Sequence, residues 1–216
     1  LNALTTANLD ALTVPDLTTT QVTGLDTTAI GNLTTTQVGT LLAAQVTALA
    51  TEQIGALTST EIQAFTTTQA GALTAAQLGN LTTTALNNFS AVQFGALTTT
   101  QAQGLTTTEL NALTVANLDA LTVPDLSSTQ VAGLTTTAIT NLTTTQVGAL
   151  TAERVGATLA DQIRALNTTE LGVMAAVQAG APTSDQIRGL TTTNFAAFSS
   201  FTGIPALSTT AIAGIS

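Results

Sequence analysis

Large apolar residues recur every eight positions along the chain, at Leu25, Leu33, Leu41, Leu49, Leu57, Phe65, Leu73, Leu81, Phe89, Leu97, Leu105, Leu113 and Leu121. A second apolar series follows five residues after each of these: Ile30, Val38, Val46, Ile54, Ile62, Ala70, Leu78, Leu86, Phe94, Ala102, Leu110 and Leu118. The unit is therefore L-T-T-T-Q-V-G-A, with its large residues at positions one and six. The stretch LTTTQVGAL shows it at Leu33–Leu41 and again at Leu142–Leu150.

In a strand, positions one and six point to opposite faces, because side chains alternate with period two. In a helix, position six and the next position one lie three residues apart on one face. The polar half of the octad favours the helix independently. Position two is Ser, Thr, Asn or Asp in nearly every unit, the exceptions being Leu42, Ala50, Leu159 and Ala175. These are the N-cap residue types, whose side-chain oxygen accepts from an amide of the first turn. Position five is most often Gln (Gln37, Gln45, Gln53, Gln69, Gln77, Gln93, Gln146) and sometimes Glu (Glu61, Glu109, Glu170), which completes a capping box. Positions one and six then form the hydrophobic staple across the helix start. Gly, Ala or Asn at positions seven and eight, as at Gly55, Gly79, Asn80, Asn141 and Gly148, suits a left-handed helix exit. The pattern predicts an all-α solenoid, a superhelix of short capped helices. A β-solenoid is the alternative, since Thr, Val and Ile are strand formers.

One octad cannot bury its own stripe, so units must stack, with neighbouring coils sharing the Leu and Val positions. The expected product is one continuous solenoid over 1–216, elongated, with a narrow core, an exterior of Thr, Gln and Ala, and three or four octads per coil. A longer repeat divides it into 1–109 and 110–216: LNALTTANLDALTVPDL near the start matches LNALTVANLDALTVPDL from Leu110. Its offset of 109 is thirteen octads plus five, the odd five being LTVPD at Leu12–Asp16 and Leu121–Asp125. Losing three residues removes close to one helical turn, so the apolar face stays in phase and a bend is expected there. A further irregularity falls at SFTGIPAL, with Pro205. The chain opens inside the repeat and shows no polar capping repeat at either end. A segment of a longer chain, a processed product or head-to-tail association is expected from that.

Composition removes most chemistries. The 216 residues include no Cys, His, Lys, Trp or Tyr, and 7 % are charged against about 25 % in ordinary soluble domains. No His or Lys is present to activate the many Ser and Thr, so no enzyme and no catalytic residue is expected. No disulfide or thiolate metal site can form. With a net charge of −9 and Arg154, Arg164 and Arg188 as the basic side chains, no nucleic-acid partner is expected. Every apolar run is interrupted well short of the ~18–20 residues of a membrane span.

The remaining candidates are weak. Asp10 with Asp16, and Asp119 with Asp125, supply too few oxygens for calcium, and Asp16 and Asp125 are better read as capping-box acids. No cofactor and no metal is expected. An ice-binding threonine array conflicts with hydroxyls turned to the backbone as caps. Five N-x-S/T sequons, at Asn32, Asn80, Asn88, Asn141 and Asn167, mostly follow from Asn ending one helix before the Thr cap of the next. Asp161 and Asp185 stand three residues before Arg164 and Arg188, and the arginines read as solvated decoration. The six Phe fall mostly at positions one and six, as core.

The tandem ALTTTQVGALTAAQ style, over essentially the whole chain, resembles the Thr/Ala/Leu/Gln-rich repeat tracts of large bacterial surface or secreted proteins described as adhesin-like. That resemblance carries no functional residues. It implies an extracellular or cell-surface location and a structural role as a stalk, surface layer or self-assembling filament. The alternative is an adhesin-type module whose solenoid face recognises a glycan or protein.

Overall fold

A computed structural model of the chain describes Asn2 and residues 6–202, with side chains placed for Asn2 and 7–197. Pro205 and most of SFTGIPAL lie outside the described residues, as do the side chains of Phe198 and Phe201. The chain forms two compact units, 1–121 and 122–216. Both are built from short helices, and the described residues contain no strand. The fold is an all-α repeat solenoid.

Unit 1 runs α1 (Thr6–Asp10), a 3-10 turn η1 (Val14–Asp16), α2 (Thr19–Thr23), α3 (Thr27–Gly31), α4 (Thr35–Gly39), α5 (Ala43–Ala48), α6 (Thr51–Gly55) and α7 (Ser59–Gln63). It continues with α8 (Thr67–Ala72), α9 (Ala75–Leu78), α10 (Thr83–Asn87), α11 (Ala91–Phe94), α12 (Thr99–Gly104), α13 (Thr107–Ala112) and α14 (Val115–Ala120). Unit 2 holds η2 (Val123–Asp125), α15 (Ser128–Ala132), α16 (Thr136–Thr140), α17 (Thr144–Ala149), α18 (Ala152–Ala157) and α19 (Ala160–Ala165). Then come α20 (Thr168–Gly172), α21 (Ala176–Ala179), α22 (Ser184–Arg188) and α23 (Thr192–Thr202). The long repeat's sequence boundary at 109/110 falls inside α13, so it is a frame of alignment and not an element boundary.

Each octad starts and stops one helix by the same local chemistry. Thr34 is extended (φ −72°, ψ 157°), and its hydroxyl accepts from the Gln37 amide at 3.2 Å while Gln37 Oε1 accepts from Thr34 N–H at 2.9 Å. The same reciprocal pair forms at Thr18, Thr66, Thr74, Ser90 and Thr98. Where position two lacks an oxygen, the glutamine still reaches back: Leu42 N–H donates to Gln45 Oε1 at 2.7 Å and Ala50 N–H to Gln53 Oε1 at 2.8 Å.

The exits differ from expectation. Cap residues are right-handed, as at Asn32 (φ −96°) and Gly79 (φ −72°), or the chain passes straight to an extended position one, as at Leu73 (φ −62°, ψ 139°). No described glycine takes a positive φ. With eight residues per unit, the exit must deliver position one directly into extended backbone. A single 3-10-type bond does this, from the position-one N–H to the position-six carbonyl, as in Leu33 to Ile30 at 3.1 Å and Phe65 to Ile62 at 3.1 Å.

Glycine at position seven serves packing instead. A Cβ on Gly31 would lie 3.0 Å from Ala56 O, and one on Gly39 would lie 3.3 Å from Ala64 O, both carbonyls of the following coil. Gly55 and Gly172 are the exceptions, with nothing within 4 Å of such a Cβ. Gly55→Ala is therefore expected to raise stability by about 0.5–1 kcal/mol through helix propensity alone. Thermal unfolding of the variant checks this.

Every third helix packs on its predecessor: α2 on α5, α5 on α8, α8 on α11 and α11 on α14 in unit 1, and α15 on α18 and α16 on α19 in unit 2. The coil is three octads. The position-six residues Val38, Val46, Ile54, Ile62 and Leu86 are completely buried, and position one is buried beside them at Leu33, Leu41, Leu57 and Phe65. Such side chains contribute about 1.5–3 kcal/mol each on burial. Phe65, Phe89 and Phe94 form one aromatic cluster, with centroids 6.3 Å and 6.4 Å apart, the second pair edge-on at 88°. Phe195 is half-buried.

The pentad is a whole side of the coil, shortened. Val14 is fully buried and takes the place of position six, three residues before Leu17. Pro15 favours the tight 3-10 turn, and Thr13 makes no side-chain cap bond, so Asp16 is not a capping-box acid; Asp125 sits in the equivalent turn after an equally uncapped Thr122.

Candidate functional site

The most repeated polar residue, the position-five glutamine, is not on the surface. Gln37, Gln45, Gln53, Gln69, Gln77, Gln93 and Gln101 are 1–7 % exposed, against the expectation of an exterior of Thr, Gln and Ala. Burial is tolerated because each amide has two sets of partners. Its oxygen takes the N-cap N–H of its own helix. Its nitrogen donates to carbonyls of the preceding coil, at positions six and one: Gln69 Nε2 to Val38 O (2.9 Å) and Leu41 O (2.8 Å), and Gln101 Nε2 to Ala70 O (3.0 Å) and Leu73 O (2.7 Å).

An amide offers two donors and two acceptor lone pairs. At Thr34, Thr66, Ser90 and Thr98 the cap hydroxyl also donates to the glutamine oxygen, at 3.0–3.2 Å, so the whole capacity is used. The position-six carbonyl already accepts the position-one N–H, so the glutamine fills its second lone pair, while the position-one carbonyl lies in the extended link after the helix. One side chain thus caps its own helix at the N-terminus and satisfies the end of another one coil away.

The ladder accommodates the pentad by a shift of three residues. Gln37 donates to Leu9 O (2.7 Å) and Leu12 O (3.1 Å), 28 and 25 residues back, where Gln69 reaches 31 and 28. Gln45 reads the other end of the turn through Val14 O (2.9 Å) and Leu17 O (2.7 Å).

In unit 2, Gln162 donates to Val131 O and Leu134 O, and Gln178 to Leu150 O. Arg154 occupies position five above η2. Its guanidinium donates to Leu126 O at 2.5 Å and Pro124 O at 2.6 Å, with a third bond to the Thr151 hydroxyl at 3.2 Å. The reading of Arg154 as solvated decoration is thereby corrected: it is a rung. Arg164 and Arg188 pair with Asp161 (3.0 Å) and Asp185 (3.7 Å) on the exposed surface, as the spacing predicts. Arg154→Ala should cost about 1.5–3 kcal/mol and Arg164→Ala less than about 0.5, a contrast readable by urea unfolding of the two variants.

Among the described residues, no group of three His, Cys, Asp or Glu is placed to hold a metal. Asp10 and Asp16 are both exposed, at the ends of α1 and η1. Among the sequon residues, Asn32, Asn88 and Asn141 are helix C-caps as expected, and Asn80 Nδ2 donates to Ala76 O at 2.7 Å. Asn167 is an N-cap instead, its oxygen accepting from Thr169 and Glu170 amides. No helix of the described residues is long and apolar enough to cross a membrane.

Residues 46–83, from within α5 to the start of α10, match a family model described as the ALTTAQ repeat. No curated protein and no solved structure matches the chain. The chain is thus a tandem-repeat α-solenoid that over 46–83 is similar to the ALTTAQ repeat.

Proposed function

We propose that the chain is a structural repeat segment of the cell surface or extracellular space, building a stalk, a surface layer or a self-assembling filament, and that it is not an enzyme. The observation that supports this is where the polar chemistry goes. The recurrent amides and cap hydroxyls bond to the backbone, and so they serve to repeat a coil and leave little for a substrate. What faces solvent is mainly Thr and Ala, with few charges. The acidic balance favours solubility, while low charge density on the helix faces permits close lateral packing.

The adhesin alternative would draw on aromatic anchors. Phe65, Phe89 and Phe94 are 2–5 % exposed, which takes those three away from it. Electron microscopy of the purified chain at near-native concentration tests the reading. Ordered filaments or sheets with a regular axial repeat are expected of a self-assembling material. Separate particles at every concentration would leave the stalk form and remove the filament and layer forms.

A further inference from the structure

The three helices of a coil meet at three corners, and in unit 1 the ladder is uneven among them. At the corners α4–α5, α7–α8 and α10–α11, the rungs are Gln45, Gln69 and Gln93, each with two bonds to the coil below. At α5–α6, α8–α9 and α11–α12, they are Gln53, Gln77 and Gln101, also fully bonded. At the remaining corner the sequence of rungs above Gln37 is Glu61, Ala85 and Glu109.

None of these three gives a hydrogen bond to the coil beneath. Glu61 and Glu109 accept from the Thr58 and Thr106 amides through one oxygen, at 2.7 Å and 2.6 Å. A carboxylate has no donor for the carbonyls that the repeat register sets opposite the other oxygen, those of Ile30 and Leu33 below Glu61 and of Leu78 and Leu81 below Glu109. Ala85 leaves Ile54 and Leu57 carbonyls without a rung. Between α10 and α13 Asn87 substitutes, its Nδ2 donating to Ala112 O at 2.7 Å and its Oδ1 accepting from Thr114 N–H at 2.9 Å. The deficit is therefore concentrated on α4, α7 and α10.

Two further observations fall at the same place. A surface depression opens between α6 and the α9–α10 corner, lined by Thr51, Glu52, Gly55, Asn80, Leu81 and Thr82. Within unit 1, Gly55 is also the position-seven glycine that the next coil does not approach within 4 Å. Missing rungs, a depression and an unfilled approach coincide at one corner.

We infer that this corner is a compliant seam: the coils of unit 1 part first between α4, α7 and α10, while the other two corners stay zipped by their amides. Local opening follows the least-bonded elements of a fold, so the seam gives the unit a defined site at which to bend or stretch. This holds whether or not the chain assembles.

Hydrogen exchange of the full chain, read by mass spectrometry, tests it. Amides of α7 and α10 should exchange at least about tenfold faster than those of α8 and α11, the difference expected from one or two absent hydrogen bonds. Glu61→Gln is isosteric and supplies the absent donor; it should slow exchange in α7 several-fold and leave α8 unchanged. Equal protection at all three corners overturns the seam, and so does an α7 rate that Glu61→Gln leaves unaltered. Ala85→Gln repeats the test at α10, and because it adds bulk, the isosteric variant decides.

Discussion

Replacing Gln77 by leucine is expected to destabilise the chain by about 3–5 kcal/mol, although volume is nearly conserved and apolar character is gained at a site only 6 % exposed. The amide oxygen takes Thr74 N–H at 2.6 Å, and the nitrogen donates to Val46 O at 3.0 Å, Thr47 O at 3.2 Å and Leu49 O at 2.6 Å. Leucine leaves Thr74 N–H and the Thr47 and Leu49 carbonyls without this partner, while Val46 O keeps the Leu49 N–H. Leaving a buried donor or acceptor unpaired costs about 1–3 kcal/mol per group, which outweighs the transfer gain. Gln21→Leu is the control. Gln21 is exposed, and its bonds among the described residues are to Thr18 of its own cap, so its loss should cost about 1 kcal/mol or less. Urea unfolding of both variants separates cap from ladder. Equal losses would mean that the bonds between coils add nothing.

The start of each helix was legible in the sequence because its determinants lie within eight residues. The cap oxygen at position two, the acceptor at position five and the apolar pair at one and six are all local, and the structure forms them as read. The bonds between coils join residues 28 and 31 apart, and no local pattern announces such a distance. A signal was nonetheless present. A capping box is served by Glu as well as Gln, so the strong preference for Gln implies a need for a donor too. More tellingly, Gln45, Gln53, Gln162 and Gln178 persist in the units whose position two is Leu42, Ala50, Leu159 and Ala175, where no reciprocal box can form.

The coil count was likewise beyond the octad itself, since three or four helices would each present the same stripe. The exits were misread for a different reason. Gly and Asn after a helix usually mark a left-handed cap, but here the glycine makes room for the carbonyl of the next coil, a demand set by packing and not by dihedral angle. Arg154 was misjudged because a charged side chain at position five looks solvated until the turn beneath it, with the Pro124 and Leu126 carbonyls, is in view.

The sharpest test of that packing role is Gly79→Ala, expected to cost about 2–3 kcal/mol, as overpacking against backbone does. A Cβ on Gly79 would press into the carbonyl oxygen of Gly104 in the following coil and lie 3.4 Å from Ala75 O. Gly104 faces the same contact from the other side: its own Cβ would lie 2.6 Å from the Ala75 Cβ. Neither neighbour is a flexible side-chain end, so relief requires α9 and α12 to move apart, which would stretch the Gln101 rung to Ala70 and Leu73. Gly55 holds the same octad position with open space around it, so helix propensity favours alanine at both sites and only the approach of the next coil differs. Thermal unfolding should therefore move in opposite directions for Gly79→Ala and Gly55→Ala. A stabilised Gly79→Ala would mean that the α9–α12 contact yields freely, and the glycines would then have to be explained by chain entropy and not by contact between coils.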